Sequence, residues 1–155
     1  MRGRVWQIRA ASPKDAAALA RLRYAFRTER RAATEPQAEF LQRCERWMAE
    51  RLEAGGSWRC WTAVAEEQLV ASLWLQLIEK LPNPADETEL HGYVTSIYVA
   101  PPHRKAGIAC GLLAACLRQC EESGVDAVFL WSTPDSRRLY QRFGFTVRDD
   151  LLERR

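Results

Sequence analysis

The chain has 155 residues, of which 47% are apolar and 28% charged, and its net charge is +3. These values are ordinary for a globular protein and predict a single domain spanning residues 1–155. No apolar run approaches the roughly 18 residues that a membrane-spanning helix requires, which excludes that class of protein.

The N-terminus and the cysteines favour a cytoplasmic location. The segment beginning at Met1 reads Met-Arg-Gly-Arg-Val-Trp and lacks the apolar core of an export signal. The five cysteines are an odd number, and no Cys-x-x-Cys pair occurs among them. A disulfide framework or a zinc site is therefore not expected, and a reducing compartment fits this usage.

The first third of the chain predicts a strand followed by two helices. Residues 5–9 alternate apolar and polar side chains, as a short strand does. Ser12 is a candidate N-cap for the first helix, with a proline at the first helical position and Asp15 reaching back to the cap. A second helix is expected over residues 34–54, where a glycine pair follows and ends it.

Basic residues are concentrated in this part of the chain. Residues 1–59 carry 13 Lys and Arg against 7 Asp and Glu, whereas residues 60–155 carry 10 against 13. Such asymmetry can mark an acidic or nucleic-acid partner. Glu29 and Glu35 interrupt the basic run, and no aromatic platform alternates with it. Solvated helix faces are therefore the favoured interpretation.

The middle of the chain predicts a run of strands. Trp58–Ala65 and Leu69–Glu79 are separated by a short polar turn and indicate an antiparallel hairpin. Residues 80–88 contain two prolines and an asparagine and are expected to form an exposed loop. Glu89–Val99 then predicts a further strand, which ends before two prolines that cannot donate to a ladder.

The last third predicts a helix, a strand and a shorter helix. Residues 105–123 carry a wide apolar stripe at helical spacing, and Gly124 follows as the C′ residue. The almost wholly apolar run 125–131 favours a strand buried on both faces. A short helix is expected over 133–143, ended by a glycine, and residues 145–153 are expected to add one or two short strands.

These elements predict an α/β fold with a single mixed, mostly antiparallel sheet and helices on both faces. The turn between the prolines and the long helix is the most informative stretch. Arg104-Lys105-Ala106-Gly107-Ile108-Ala109 joins a strand to a helix N-terminus through small residues. Free N–H groups and the positive end of a helix dipole make such a turn suitable for an anion.

Two motifs resemble those of the GNAT acetyltransferases. The first is Arg104-x-x-Gly107-x-Ala109 after a strand, which is similar to the family's pyrophosphate-binding loop for acyl-coenzyme A. The second is Leu139-Tyr140-x-x-x-Gly-Phe, which resembles the family's signature near the C-terminus. The resemblance is specific from about residue 94 to residue 145. It implies the GNAT fold and the transfer of an acetyl group from acetyl-coenzyme A to a primary amine.

The resemblance also implies roles for particular residues. Tyr140 matches the family's tyrosine, which can act as general acid towards the leaving thiolate. A bulge in the strand before the loop would free backbone groups for the pantetheine and the acetyl carbonyl. The residues expected to bind acetyl-coenzyme A are Ile97, Tyr98, Val99, Arg104, Lys105, Ala106, Gly107, Ile108, Ala109 and Thr133. Thr133 stands where the family often has asparagine, and a helix N-cap role explains it equally.

A general base is not evident. The family position that can carry a carboxylate aligns with Tyr93, and Glu89 and His91 are nearby candidates that could act through water. Cys116 and Cys120 share a helix face, but without a further ligand at suitable spacing they are interpreted as small core residues rather than a metal site.

Three hypotheses about function remain at this point. The first is an N-acetyltransferase that acts on a small molecule or a protein. The second is a degenerate acyl-coenzyme A sensor without turnover, and the third is a nucleic-acid-associated protein that uses the basic helices. The chain ends at Arg155, which leaves room for a homodimer in which a second subunit supplies one wall of the acceptor site. Neither a metal nor a membrane is expected as a partner.

Overall fold

The computed structural model describes residues 5–155. The first four residues, which begin the segment used above to argue against an export signal, lie outside this range. The described residues form the strands β1 (Trp6–Ala10), β2 (Trp58–Ala65), β3 (Gln68–Glu79), β4 (Leu90–Val99) and β5 (Ala127–Phe129). Their α-helices are α1 (Ala16–Thr28), α2 (Gln37–Arg51), α3 (Ile108–Glu122) and α4 (Arg137–Arg142).

The strands form one mixed sheet in the order β1-β2-β3-β4-β5. The first three pairings are antiparallel, and β4 and β5 pair in parallel. This topology confirms the predicted fold class. Among the helices of residues 5–155, none has both the length and the apolar character required to cross a membrane.

Two apolar clusters lie on opposite faces of the sheet. One contains Leu73 and Leu75 of β3 together with Leu112 and Leu113 of α3, all fully buried. The other contains Leu19 of α1, and with it Met48, Trp74 and Tyr98. Alternate residues of one strand therefore supply both cores, as the period-2 geometry of a strand requires. Cys116 and Cys120 belong to the first cluster, as expected for small core residues.

The local signals read from the sequence are largely confirmed. Glu66 and Glu67 form the two-residue hairpin turn with φ of 50° and 63°, the left-handed conformation that a type I′ turn needs. The carboxylate of Asp15 accepts a hydrogen bond from the Ser12 N–H at 2.8 Å, which is the predicted capping interaction. A short 3-10 helix, Pro13–Asp15, then leads into α1.

The structure corrects several boundaries. Helix α2 spans Gln37–Arg51 instead of residues 34–54, and α4 spans Arg137–Arg142 instead of residues 133–143. Helix α3 begins at Ile108 instead of Lys105, because Lys105 and Gly107 have φ of 62° and 80° and form a turn. Strand β5 has only three residues and is not buried on both faces as expected. It lies at the edge of the sheet, Ala127 is exposed and Trp131 is 52% exposed. Within the described chain, residues 145–153 form no strand, and Val147 is among their exposed apolar side chains.

The Ser12–Asp15 cap should be measurable in stability. The Arg9 guanidinium and the Ser12 N–H lower the pKa of Asp15. A lowered folded-state pKa stabilises the fold above the ordinary carboxyl range, and the effect is lost as the pH falls through the folded-state pKa. Asp15→Ala should therefore cost about 1 kcal/mol at pH 7 in urea unfolding, and the difference should shrink below about pH 4. Asp86→Ala, in the exposed loop, serves as control, and a pH-independent difference would contradict the assignment.

Candidate functional site

The site begins where β4 and β5 separate. The two strands pair only at three positions, from His91↔Ala127 to Tyr93↔Phe129, and then diverge. On the other side of β4 the register to β3 shifts, because β4 advances by three positions from Thr95 to Tyr98 while β3 advances by two. The bulge is at Ser96, whose φ of 54° is left-handed although it is not a glycine.

The bulge determines where the β4 backbone points. Ala100 donates its N–H to the Val70 carbonyl at 2.8 Å, so Ala100 faces β3. Neighbouring residues of a strand face opposite sides, and Val99 and Ile97 therefore turn their backbone groups away from β3. The diverging β5 does not pair with either of them. Polar backbone groups thus line one side of an open split in the sheet.

A cleft of about 680 Å³ passes along this split. It brings together all of the site residues expected from the sequence except Ala106. Those lining it are Ile97, Tyr98, Val99, Arg104, Lys105, Gly107, Ile108, Ala109, Thr133 and Tyr140. The cleft also includes Leu139 of the second motif and residues that the sequence did not single out, namely Phe26, Glu29, Arg30, His103, Cys110, Asp135, Ser136 and Arg142.

The loop between the prolines and α3 lines one part of the cleft. The hydrogen bond from the Gly111 N–H to the Gly107 carbonyl, at 3.0 Å, closes the first turn of α3, so the N–H groups that precede it have no helical acceptor. Trp6 of β1 supports the loop from behind by donating its indole N–H to the Ala106 carbonyl at 3.1 Å. This contact explains why Ala106 lies behind the cleft instead of lining it.

Arg104 is held by three partners beside the loop. Its Nε donates to the Val99 carbonyl at 2.9 Å, and its Nη2 lies 2.6 Å from the Glu29 carboxylate. The guanidinium also lies over the Tyr98 ring, 5.6 Å from the centroid. The Tyr98 hydroxyl donates to the same Glu29 oxygen at 2.9 Å, and this bond, followed by that from Arg104, lowers the pKa of Glu29. The exposed amine of Lys105 remains as a cation on the loop that is not paired in this way.

Helix α4 and the turn before it line another part of the cleft. Thr133 and Ser136 bond reciprocally in the turn before α4, with Oγ atoms 2.9 Å apart, and the N-cap of the helix is Ser136 instead of Thr133. Tyr140 follows on α4 and is only 9% exposed. Burial raises its pKa, and the Ser136 hydroxyl partly offsets that shift. The phenol is therefore protonated at neutral pH and faces the cleft.

The candidate bases do not line the cleft. Glu89 accepts a hydrogen bond from the Asn83 N–H at 3.0 Å, and the His91 ring packs edge-on against Phe129. Tyr93 stacks on Phe129 with centroids 5.3 Å apart. Over residues 5–155 there is no group of three or more side chains suited to hold a metal ion. The cleft can thus bind an anion at the loop, and Tyr140 can donate a proton within it.

A comparison with protein families identifies one match. The model of the acetyltransferase (GNAT) family matches residues 19–145, which include the cleft and both motifs. No curated protein matches the sequence.

Solved structures show the same fold. A GCN5-related N-acetyltransferase from Ralstonia eutropha is 26% identical with a TM-score of 0.78, and the match covers 97% of this chain and 98% of that one. A Clostridium acetobutylicum protein solved with acetyl-CoA is 24% identical with a TM-score of 0.77, covering 97% and 96%. A ribosomal-protein-alanine N-acetyltransferase from Brucella melitensis is 21% identical with a TM-score of 0.72, covering 97% and 99%.

The protonation state of Tyr140 can be tested directly. Because burial raises its pKa, the phenol should ionise at higher pH than a free tyrosine, whose pKa is about 10. The ultraviolet titration of the parent minus that of Tyr140→Phe isolates this group, provided circular dichroism shows that both remain folded. A difference curve with its midpoint below that of free tyrosine would contradict the desolvated environment.

Proposed function

Because the chain belongs to the GNAT family of acetyltransferases, enzymes that use acetyl-coenzyme A, we propose that it transfers the acetyl group to a primary amine. The observation that carries this proposal is the single cleft that joins unpaired β4 backbone, a helix N-terminus and the buried phenol of Tyr140. Acetyl-coenzyme A supplies the acetyl group as an activated thioester.

The residues of the cleft fit such a substrate. A phosphate group suits the free N–H groups at the start of α3, where the helix dipole adds positive potential. Gly107 leaves this approach open, since a Cβ added there would meet nothing closer than a Trp6 ring carbon 3.8 Å away. Lys105 adds a positive charge, while the side chain of Arg104 is engaged by Glu29 and Val99. Arg104 would therefore contribute chiefly by ordering the loop.

The unpaired backbone of Ile97 and Val99 would orient the chain of the substrate along the split. An N–H aimed at a carbonyl oxygen stabilises the charge that develops there during acyl transfer. The Val99 carbonyl is bonded to Arg104 in this structure, so Ile97 and the Val99 N–H are the groups proposed for this role. The Tyr98 side chain packs in the apolar cluster that contains Leu19 of α1. It would therefore affect the bound substrate only through its contacts with Glu29 and Arg104.

Tyr140 is proposed as the general acid. The acceptor nitrogen forms a bond to the acetyl carbon, the carbon–sulfur bond breaks, and Tyr140 donates its proton to the sulfur. The proton that the nitrogen releases passes to solvent, which returns one to the phenol. A buried, neutral phenol is suited to this transfer because it carries its proton at physiological pH.

We further propose that residues 1–155 act as one catalytic domain, which the 97% coverage in the matched structures supports. The homodimer and the cytoplasmic location stay predictions. A sensor that binds acetyl-coenzyme A without turnover is the second candidate, favoured by one observation: both carboxylates that line the cleft, Glu29 and Asp135, are ion-paired, at 2.6 and 3.9 Å.

The phosphate site predicts a charge-specific loss of binding. Gly107→Glu should weaken acetyl-coenzyme A binding roughly 10- to 1,000-fold in calorimetry, as expected from about 1–4 kcal/mol of repulsion between like charges about 4 Å apart. Gly107→Ala carries the same left-handed strain, about 1 kcal/mol, without the charge, and should bind far better. Gly55→Glu is a matched control, because Gly55 has a φ of 88° and open space around it. Equal affinity of Gly107→Glu and the parent would remove the loop from the proposal.

The acid role predicts a selective loss of rate. Tyr140→Phe should leave acetyl-coenzyme A affinity nearly unchanged and slow single-turnover acetylation by roughly 100- to 10,000-fold. Its melting temperature should change little, since at most about 1 kcal/mol depends on one ordinary hydrogen bond. Tyr24→Phe, on α1 outside the cleft, is the control. If Tyr140→Phe turns over at the parental rate, Tyr140 is a packing residue and not the acid. If the parent protein binds acetyl-coenzyme A but acetylates no amine, the result supports the sensor hypothesis.

A further inference from the structure

Arg23 of α1 lies against the β4 bulge without a charged partner. Its Nη1 donates to the Ser96 hydroxyl at 2.8 Å, and its guanidinium lies 5.8 Å from the Phe26 centroid. The ionisable groups that act on it are Arg27, the thiol of Cys44 and the phenol of Tyr93, none of them a carboxylate. Within the described chain, Arg23 forms no salt bridge, and desolvation followed by repulsion from Arg27 lowers its pKa.

A half-buried cation without an anion is unfavourable, because it has lost water without gaining a counter-charge. Other arginines of the molecule avoid this cost. Arg9 pairs with Asp15 at 2.8 Å, and Arg104 pairs with Glu29. Arg23 uses one of its five N–H donors in its bond to Ser96. The remaining planar donors match the two oxygens of a carboxylate.

The position of Arg23 connects it to the reacting end of the cleft. Ser96 is the bulge residue, and it directly precedes Ile97, whose backbone faces the split. Phe26, which Arg23 contacts, lines the cleft itself. A group bound by Arg23 would therefore lie beside the strand segment proposed to hold the acetyl carbonyl, on the face of the sheet that carries α1.

An aromatic surface lies near this position, since the Tyr93 phenol is among the groups that act on Arg23. Tyr93, Phe129 and Trp131 contact one another, with ring centroids 5.0–5.9 Å apart, where β4 and β5 diverge. Trp131 is 52% exposed, so the surface is open to a ligand. We name these three residues the aromatic shelf. An apolar side chain placed on it would remove apolar area from water next to the cation.

We propose that the acceptor is a free α-amino acid with an aromatic or large apolar side chain, whose carboxylate is bound by Arg23 and whose side chain packs on the aromatic shelf. This inference rests on the proposed acetyl transfer and specifies its acceptor. The carboxylate and the amine of such a molecule are attached to the same carbon. Binding of the first by Arg23 therefore keeps the second close to Ile97 and the split.

Matched acceptor pairs test the inference in the unaltered protein. Thiol release is measured with phenylalanine, its amide and phenethylamine, which share one side chain and differ in the carboxylate. Phenylalanine should have a kcat/KM roughly 10- to 100-fold above both analogues, the range expected for a charge-assisted hydrogen-bonded pair. Equal or faster turnover of the uncharged analogues, or acetylation of peptides alone, would overturn the inference and leave acetyl transfer intact.

Variants then assign the effect to its residues. Arg23→Gln should raise KM for phenylalanine and abolish the preference, with turnover of phenethylamine and affinity for acetyl-coenzyme A unchanged. Arg21→Gln, on the exposed face of the same helix, should keep the preference. Trp131→Ala should lower the selectivity for phenylalanine over alanine. If Arg23→Gln perturbs the bulge and lowers the affinity for acetyl-coenzyme A, the variant is not informative. The preference of the unaltered protein for phenylalanine over its two uncharged analogues then decides whether the inference holds.

A different experimental result is expected if the proposed acetyl transfer itself is wrong. Acetyl-coenzyme A that binds without thiol release from any amine would overturn the proposed acetyl transfer and the acceptor assignment with it. A preference for phenylalanine that survives in Arg23→Gln, with both proteins folded, would instead contradict only the role of the arginine.

Discussion

The separation of β4 from β5 is the constraint on which the functional part of the molecule depends. A sheet normally satisfies its backbone groups through its neighbours, and exposing them costs free energy unless water or a ligand replaces the partner. Here the parallel pairing ends at Tyr93, and the bulge at Ser96 turns the following residues towards the gap. The open backbone is the part of the strand that is proposed to orient acetyl-coenzyme A.

Two side chains, one from α1 and one from the loop after β4, bond to this segment of β4. Arg23 bonds to the hydroxyl of the bulge residue, and Arg104 bonds to the carbonyl of Val99 at the end of the strand. Glu29 connects the second of these to Tyr98. Helix α1 therefore does more than cover one face of the sheet. Arg23 of α1 and Glu29 directly after the helix also bond to the segment of β4 around the bulge.

Much of this architecture could be predicted from the sequence, because it depends on local chemistry. The hairpin, the cap at Ser12 and the left-handed Gly124 after α3 each follow from residues adjacent in the chain. The strand-loop-helix segment around Gly107 and the tyrosine motif indicated most of the residues that line the cleft. The length of β5 was overestimated, since an apolar run does not reveal that its strand lies at a sheet edge.

The interactions that could not be predicted are those between distant parts of the chain. Nothing near Glu29 indicates that its partners are Tyr98 and Arg104, and serine is an uncommon residue for a left-handed bulge. The sequence also does not predict that Arg23 lacks a charged partner, because the pattern of a basic helix does not indicate which of its arginines faces the sheet. Such features arise only when tertiary packing brings α1 against β4.

The hydrogen bond between Trp6 and Ala106 has a consequence for the order in which parts of the chain fold during synthesis. It closes the loop across 100 residues, from the first strand to the turn before α3. During synthesis at about 5–20 residues per second, the indole leaves the ribosome on the order of 5–20 s before its partner. Contacts of such high sequence separation form late, because the intervening chain must first be ordered. Strands β1 to β4 all precede the loop in the chain, whereas α3 and β5 follow it, so four strands leave the ribosome before the loop that is proposed to bind the phosphate.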